Sequence, residues 1–377
     1  MTYVMAEWSG GGGIGHYSFL LADGLARQGI STTLATRRGH ELAALPHVHR
    51  IATLWPAAPI RLRGRIRRIV IGLGWFWGWL RVIVLVSRHR HERDLVVHVH
   101  APESVPELVF LAALRLLSPC LLITAHNAVP HDSVKRGGLM HRLTYRLPHG
   151  IVSQSEAEAE TVRAIAGRRP QITVIPHGSY VPIADWPATH TRNDHSTITI
   201  AHLGSIRPYK GFDLVVEAFR RAHARDDRLR LRVVGRAANE EQTRALLETL
   251  ADSDWSCSLG YATVEQLVQE ARSADIAVLG HRRASESGIL HLMLATGTPV
   301  IGPDIAGIGR LLAAEPSWLY RANDPIDAAR ALSAIAATLP EGREEARRRA
   351  RSIAERGAPS WDEVAIAHIE FIAQRPR

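Results

Sequence analysis

The segment Gly204-Ser205-Ile206-Arg207-Pro208-Tyr209-Lys210-Gly211 holds two cations, Arg207 and Lys210, in one short loop closed by glycine. A departing diphosphate gains charge as its bond to carbon breaks. Fixed cations aimed at it stabilise that transition state more than the ground state. Further on, Ser285-Glu286-Ser287-Gly288-Ile289 precedes a helical run that ends at Gly297. First-turn amides at Ser287, Gly288 and Ile289 can hold phosphate oxygens. Glu286 is placed to accept hydrogen bonds from ribose or sugar hydroxyls, while Ser285 and Ser287 equally suit an ordinary N-cap. Near the start, Gly10-Gly11-Gly12-Gly13-Ile14-Gly15 is followed by His16. Amides around Gly13 and Gly15 can point at a phosphate or a sugar. The same run satisfies G-x-G-x-x-G, and with Arg37-Arg38 ending the next strand it leaves an NADP-linked oxidoreductase as an alternative. His126 closes a strand in Thr124-Ala125-His126-Asn127, where a neutral imidazole can donate to a sugar hydroxyl or phosphate oxygen. His98 and His100 alternate with valines one strand earlier. With no accompanying cysteine or carboxylate cluster, no zinc site is expected.

These residues need a scaffold, and the chain is long enough for two. Its 377 residues exceed one ordinary core. Apolar runs of strand length alternate with helical runs throughout, the pattern of parallel sheets with crossover helices. The expected class is α/β, with two successive Rossmann-like sheets. The boundary is expected after His177, where Gly178, Pro182, Pro187 and a polar run ending at His195 read as a linker. This gives residues 1–180, a linker at 181–195, a second domain at 196–358 and a last helical segment at 359–377. Residues 341–356 alternate Arg and Glu and read as a solvated helix. Hydrophobic residues at 46% and charged residues at 22% exclude a largely disordered chain. Cys120 and Cys257 stand far apart and suit neither a disulfide scaffold nor a redox motif. The stretch from Met1 to Ser9 reads as a first strand rather than a signal peptide.

A net charge of +9 favours anionic partners, phosphorylated ligands and phospholipid surfaces among them. Arg61, Arg63, Arg65, Arg67 and Arg68 open an apolar segment bearing Trp75, Trp77 and Trp79, and Arg88, Arg90 and Arg93 close it. Its length just permits a membrane span, but a span would divide one sheet between two sides of a bilayer. Two readings stay open: a helix lying in an anionic lipid interface, and a buried crossover helix with a basic end.

The order of the glycine run, His126, Tyr209-Lys210-Gly211, Gly297-Thr298-Pro299-Val300-Ile301 and Ser360-Trp361-Asp362 resembles the family-four, retaining, Leloir-type glycosyltransferases of bacterial polysaccharide and glycolipid synthesis. The resemblance implies a GT-B fold, two Rossmann-like domains facing across a cleft. The acceptor would sit on the first domain, the donor nucleotide on the second, and the last helix would pack back on the first. It implies that Lys210 and Arg207 bind the diphosphate, that His126 contacts the transferred sugar, and that the glycine loop with His16 approaches donor sugar and acceptor. It also implies that no metal or other cofactor is needed. Two departures stand out. The family's arginine after the strand glycine is Ser205 here. Its two glutamates around the second motif are Ala284 and Leu292, with Glu286 two residues from the first. Donor base, sugar and stereochemical outcome therefore stay open, as does a non-catalytic subunit. For an inverting reaction, His131 or Asp132 is the candidate base. The expectation is a hexosyltransferase using a UDP- or GDP-sugar and a lipid-linked or other membrane-held acceptor, with no nucleic-acid partner. It would be cytoplasmic and peripheral on the inner face of the cell membrane.

Overall fold

The computed structural model describes residues 1–56, 64–100, 105–126, 139–167, 169–186, 196–251, 254–283 and 286–374. The chain divides into two compact units, Met1–Gly178 with Ser360–Arg377, and Ser179–Pro359.

In the first unit seven parallel strands run in the order β3-β2-β1-β4-β5-β6-β7. They are β1 (Thr2–Ala6), β2 (Ser31–Arg37), β3 (Arg50–Trp55), β4 (Leu95–His100), β5 (Cys120–Ala125), β6 (Gly150–Ser153) and β7 (Gln171–Val174). Every residue of β4 and β5 is buried, as expected of central strands covered by helices on both faces. The helices are α1 (Gly12–Arg27), α2 (Gly64–Arg88), α3 (Val105–Leu117), α4 (Leu139–Arg146) and α5 (Glu156–Ala166). Between β3 and β4, α2 sends Trp79, Val82 and Val86 into the core, where they meet Trp55, Phe110 and Leu111. A last helix, numbered α13 (Trp361–Ala373), belongs to this unit and packs on α1. Ser360 and Glu363 start it with a reciprocal capping box.

The second unit has six parallel strands in the order β10-β9-β8-β11-β12-β13. They are β8 (Ile198–Leu203), β9 (Leu229–Gly235), β10 (Trp255–Leu259), β11 (Ile276–Val278), β12 (Val300–Pro303) and β13 (Leu319–Tyr320). Its helices are α6 (Val181–Ala184), α7 (Phe212–His223), α8 (Glu240–Leu247), α9 (Val264–Ser273), α10 (Gly288–Ala295), α11 (Ala306–Leu312) and α12 (Pro325–Arg356).

Two segments differ from their sequence reading. Part of the expected linker is the helix α6, which packs on α9 and α10. Pro182 pre-sets its first turn, and Ile183 and Ala184 are buried; residues 187–195 lie outside the described residues. Residues 341–356 are the second half of α12, with Ala346, Ala350, Ile353 and Ala354 buried. The stripe is narrow and made mostly of alanine, so the Arg and Glu residues around it mask it in the sequence.

Candidate active site

In both sheets the strand order reverses beside the first strand, between β1 and β4 and between β8 and β11. Open α/β sheets bind ligands outside the carboxyl ends of the strands at such a point. In the second unit the loops flanking it are 204–211 after β8 and the segment after β11 that leads to α10. These carry Arg207, Lys210, Glu286 and the first turn of α10.

Two glycine pairs let the loop after β8 approach the segment after β11 and the end of β9. Gly211 has φ 57° and its Cβ position falls on the carbonyl of Gly280; Gly235 has φ 148° and its Cβ position falls on the carbonyl of Gly204. Only glycine tolerates both the left-handed backbone and the contact. Arg282 fastens the arrangement, donating to both oxygens of Asp213 at 2.8 and 2.6 Å and to the Pro208 carbonyl at 3.1 Å. Its own amide donates to the Tyr209 carbonyl at 2.8 Å. Lys210 is thus held in a 3-10 turn, with its Nζ 4.0 Å from the Cβ position of Gly204. The residue is half-buried but its ammonium is enclosed. Burial first, and the neighbouring Arg207 second, push its pKa down to about 8. Arg207 is exposed.

At the α10 end, Ser287 occupies the N-cap without a capping side-chain bond, so it is not the ordinary cap that its type allows. Glu286 has a side chain only 4% exposed, with Arg310 at 3.3 Å from one oxygen and His291 at 3.4 Å from the other. Gly288 lies against Tyr180, whose hydroxyl is 3.1 Å from the glycine's Cβ position; Ile289 is part-exposed in the same turn. His202, which no sequence motif marks, is buried in β8. It donates from Nδ1 to the Val278 carbonyl at 3.1 Å, and burial pushes its pKa down to about 4. A cavity of about 640 Å³ in this unit lies elsewhere, between β9, β10 and α9, and none of the expected site residues lines it.

In the first unit the glycine loop follows β1, but carboxylates occupy its amides. The Gly10 amide donates to Glu7 at 3.0 Å and the Gly12 amide to Glu41 at 3.3 Å. Glu7, 2% exposed, also accepts from the hydroxyls of Ser9 and Thr36. A pyrophosphate would meet these negative charges where the NADP reading wants bare amides. Gly13 stands exposed at the loop crest and Gly15 is buried under it. His16 donates from Nε2 to the same Glu41 oxygen at 2.8 Å.

His126 ends β5 beside a line of buried histidines. Gln154 donates to its Nδ1 at 3.3 Å, so Nε2 carries the proton and donates to Nδ1 of His100 at 3.1 Å. The ring also meets the edge of Tyr17 at 4.9 Å. Behind His100 lies His98, bonded to the hydroxyls of Tyr3 and Thr124 at 2.7 Å each, and His368 of α13 flanks it. Burial pushes His126 down to about 3 and His368 to about 4, and holds His98 and His100 well below their ordinary value. All four are neutral at physiological pH. His131 and Asp132 lie outside the described residues. Among the described residues no three His, Cys, Asp or Glu side chains gather as metal ligands.

The sequence reading missed Glu7, Glu41, Gln154, Tyr17 and Arg310. For Glu7 a signal was present: an acid directly after an apolar strand and before four glycines.

The family of glycosyl transferase 4-like domains matches residues 12–178, and the family described as glycosyl transferases group 1 matches residues 197–338. A GDP-mannose:glycolipid 4-beta-D-mannosyltransferase of Xanthomonas campestris pv. campestris is 30% identical over 254 residues, covering 62% of this chain and 68% of that one. The chain belongs to the family-four-like GT-B glycosyltransferases. Solved structures agree with this glycosyltransferase in fold. Anabaena HepE, in complex with UDP and glucose, aligns with TM-score 0.71 at 15% identity, over 99% of each chain. Sucrose-phosphate synthase from Thermosynechococcus elongatus aligns with TM-score 0.70 at 17% identity, over 99% of this chain and 98% of its own. The glycosyltransferase is α/β, with two parallel-sheet Rossmann-like units.

Proposed function

We propose that this glycosyltransferase moves a hexose from a UDP- or GDP-sugar to a lipid-linked acceptor, working peripherally on the inner face of the cell membrane. The observation that carries the donor assignment is the loop after β8. It holds Lys210 and Arg207 at the strand-order reversal of the second unit, close to the first turn of α10. There the two cations and the α10 amides stabilise the departing diphosphate, and no metal takes part. Glu286 receives donor hydroxyls on lone pairs not used by Arg310 and His291. In the first unit, His126, its ring set by Gln154 and His100, is assigned to the transferred sugar, Gly13 and Gly15 to the donor, and His16 to the acceptor side. The Xanthomonas relative supports a lipid-linked acceptor, since its name states GDP-mannose and a glycolipid. HepE, crystallised with UDP and glucose, keeps UDP in the proposal.

The membrane assignment rests on α2. Because β3 and β4 share one sheet, the helix between them does not cross a bilayer. One face packs into the core, while Ile66, Ile69, Leu73 and Trp77 are each more than half exposed. Arg65, Arg67 and Arg68, also exposed, stand at the start of that face. An apolar face beside a cationic edge suits an anionic lipid interface.

Calorimetric titration with GDP-mannose, UDP-glucose, GDP and UDP, with and without EDTA, tests the donor reading. Binding of at least one sugar nucleotide, unaffected by EDTA and weakened by Lys210→Ala, is expected. A chain that binds none of the four does not use these donors.

A further inference from the structure

Beside the loop that carries Lys210 stands a cation that no sequence motif marks and that the donor site described above does not use. We infer that Arg236, at the carboxyl end of β9, is a further phosphate-binding residue of this site, holding the diphosphate of the nucleotide donor from the place next to Ser205. The inference rests on the donor reading above.

The backbone puts Arg236 there. β8 and β9 pair in parallel from Ile198 with Leu229 to Leu203 with Val234. The register continues past the end of β8, where the Gly204 amide donates to the Val234 carbonyl at 2.9 Å. Ile206 then bridges to Ala237. Its amide donates to the Arg236 carbonyl at 2.8 Å, and its own carbonyl accepts from the Ala238 amide at 2.9 Å. Ile206 and Ala237 are 5% and 8% exposed, so the bridge is anchored in the core. In this register Gly204 stands opposite Gly235 and Ser205 opposite Arg236, with the two backbones about 5 Å apart. Lys210 Nζ lies 4.0 Å from the Cβ position of Gly204. Arg236 therefore starts one residue beyond the glycine pair at which the ammonium is enclosed. Arg207 falls opposite Ala238 in the same register, on the far side of the bridge from Ser205.

The charge balance distinguishes Arg236 from other arginines of the unit. Carboxylates hold Arg220, Arg228, Arg232 and Arg282, namely Glu217, Asp226, Glu270 and Asp213. Arg236 is exposed, and its guanidinium has no hydrogen-bond or ion-pair partner among the described residues. No carboxylate offsets Lys210 either, since the charged neighbour acting on it is Arg207. Cations gathered without counter-ions repel one another, and an anion bound between them relieves that repulsion. Guanidinium and ammonium then divide the work. An arginine meets phosphate oxygens with two parallel N–H bonds and so fixes the orientation of the group, while a lysine acts as a point charge. Ser205 leaves the space beside Arg236 to a short, neutral side chain.

The test measures binding of UDP and GDP to the full chain by titration calorimetry, with melting temperatures, for wild type, Arg236→Ala, Arg236→Gln and the double variant Arg236→Ala with Ser205→Arg. Arg236→Ala is expected to melt as wild type does, because the side chain is exposed. It should bind the tighter of the two nucleotides about tenfold to a hundredfold more weakly, the range for a lost charge-assisted hydrogen bond. Arg236→Gln, which keeps a polar stem without the charge, should lose affinity likewise and carries the test should Arg236→Ala fail to fold. The double variant moves the guanidinium to the facing position of the ladder and should recover most of the lost affinity, which a merely structural role of Arg236 would not allow. Binding within about twofold of wild type in the single variants, or a double variant that binds no more tightly than Arg236→Ala, overturns the inference and leaves the donor reading on Lys210 intact. A wild-type chain that binds neither nucleotide overturns the donor reading and the role of Arg236 with it.

Discussion

At the scale of single residues, Lys210 is the group on which the donor assignment turns. Lys210→Ala is expected to lower turnover by about two to three orders of magnitude, the range for losing one preorganised charge-stabilising donor. Donor affinity should fall less, because the ammonium acts chiefly on developing charge. Its pKa adds a second expectation. Burial and Arg207 lower it to about 8, so Lys210 is charged below that pH and neutral above it. The value of kcat/KM, which reports the free enzyme, should therefore fall as pH rises through about 8, and that limb should vanish in Lys210→Ala; a limb that persists in the variant belongs to another group. Arg207→Ala tests whether Arg207 stands in for the arginine that Ser205 replaces. An effect matching that of Lys210→Ala supports the replacement, and full activity leaves Lys210 as the principal cation.

At the scale of elements, the loop after β8 and the helix α2 each carry a function through their backbone course. Gly211→Ala would force a side chain into the left-handed region, at a cost of about 1–2 kcal/mol, and onto the Gly280 carbonyl. The expected result is a lower melting temperature together with loss of donor binding, because the displaced turn carries Lys210. Normal donor binding in Gly211→Ala would mean that the turn is not what places the cation. For α2, the protein should sediment with vesicles rich in anionic phospholipid and be released by salt. Replacing Arg65, Arg67 and Arg68 by Ser should weaken the partition by about fivefold each, and Trp77→Ser should weaken what remains at high salt. Equal binding to neutral and anionic vesicles would exclude an electrostatic contribution.

At the scale of the whole molecule, buried neutral histidines make the fold sensitive to acid. His126, His40, His202 and His368 sit at about 3 to 4, and His98 and His100 well below the ordinary 6.5. Below 6.5 the unfolded chain takes up protons that the folded chain refuses. The stability that these groups contribute is complete above that pH and declines as pH falls towards their folded values. Each adds up to about 1.4 kcal/mol per pH unit to the slope. Urea unfolding at pH 7.5 and 5.5 should show a marked loss of stability at the lower pH, and His100→Asn should flatten the dependence. No difference between the two pH values would mean that the histidines are not held neutral.

The sequence alone determined the α/β class, the two sheets, and the loops carrying Arg207, Lys210 and the glycines. These follow from periodicity and from residues whose backbone needs are local, such as Gly211 and Gly297. It also exposed the ambiguity of α2, since a helix with one face buried and the other open reads as both alternatives at once. Tertiary structure decided what depends on residues distant in the chain. Glu41 reaches His16 and the Gly12 amide across 25 and 29 positions, and so turns an apparent phosphate cradle into an acidic loop. His100 and Gln154 fix the His126 tautomer from strands on either side. Arg310 reaches Glu286 from another helix. Which charge is spent on which partner is set by the packing of strands and helices, and hydrogen bonds across that packing leave no periodic trace in the order of the residues.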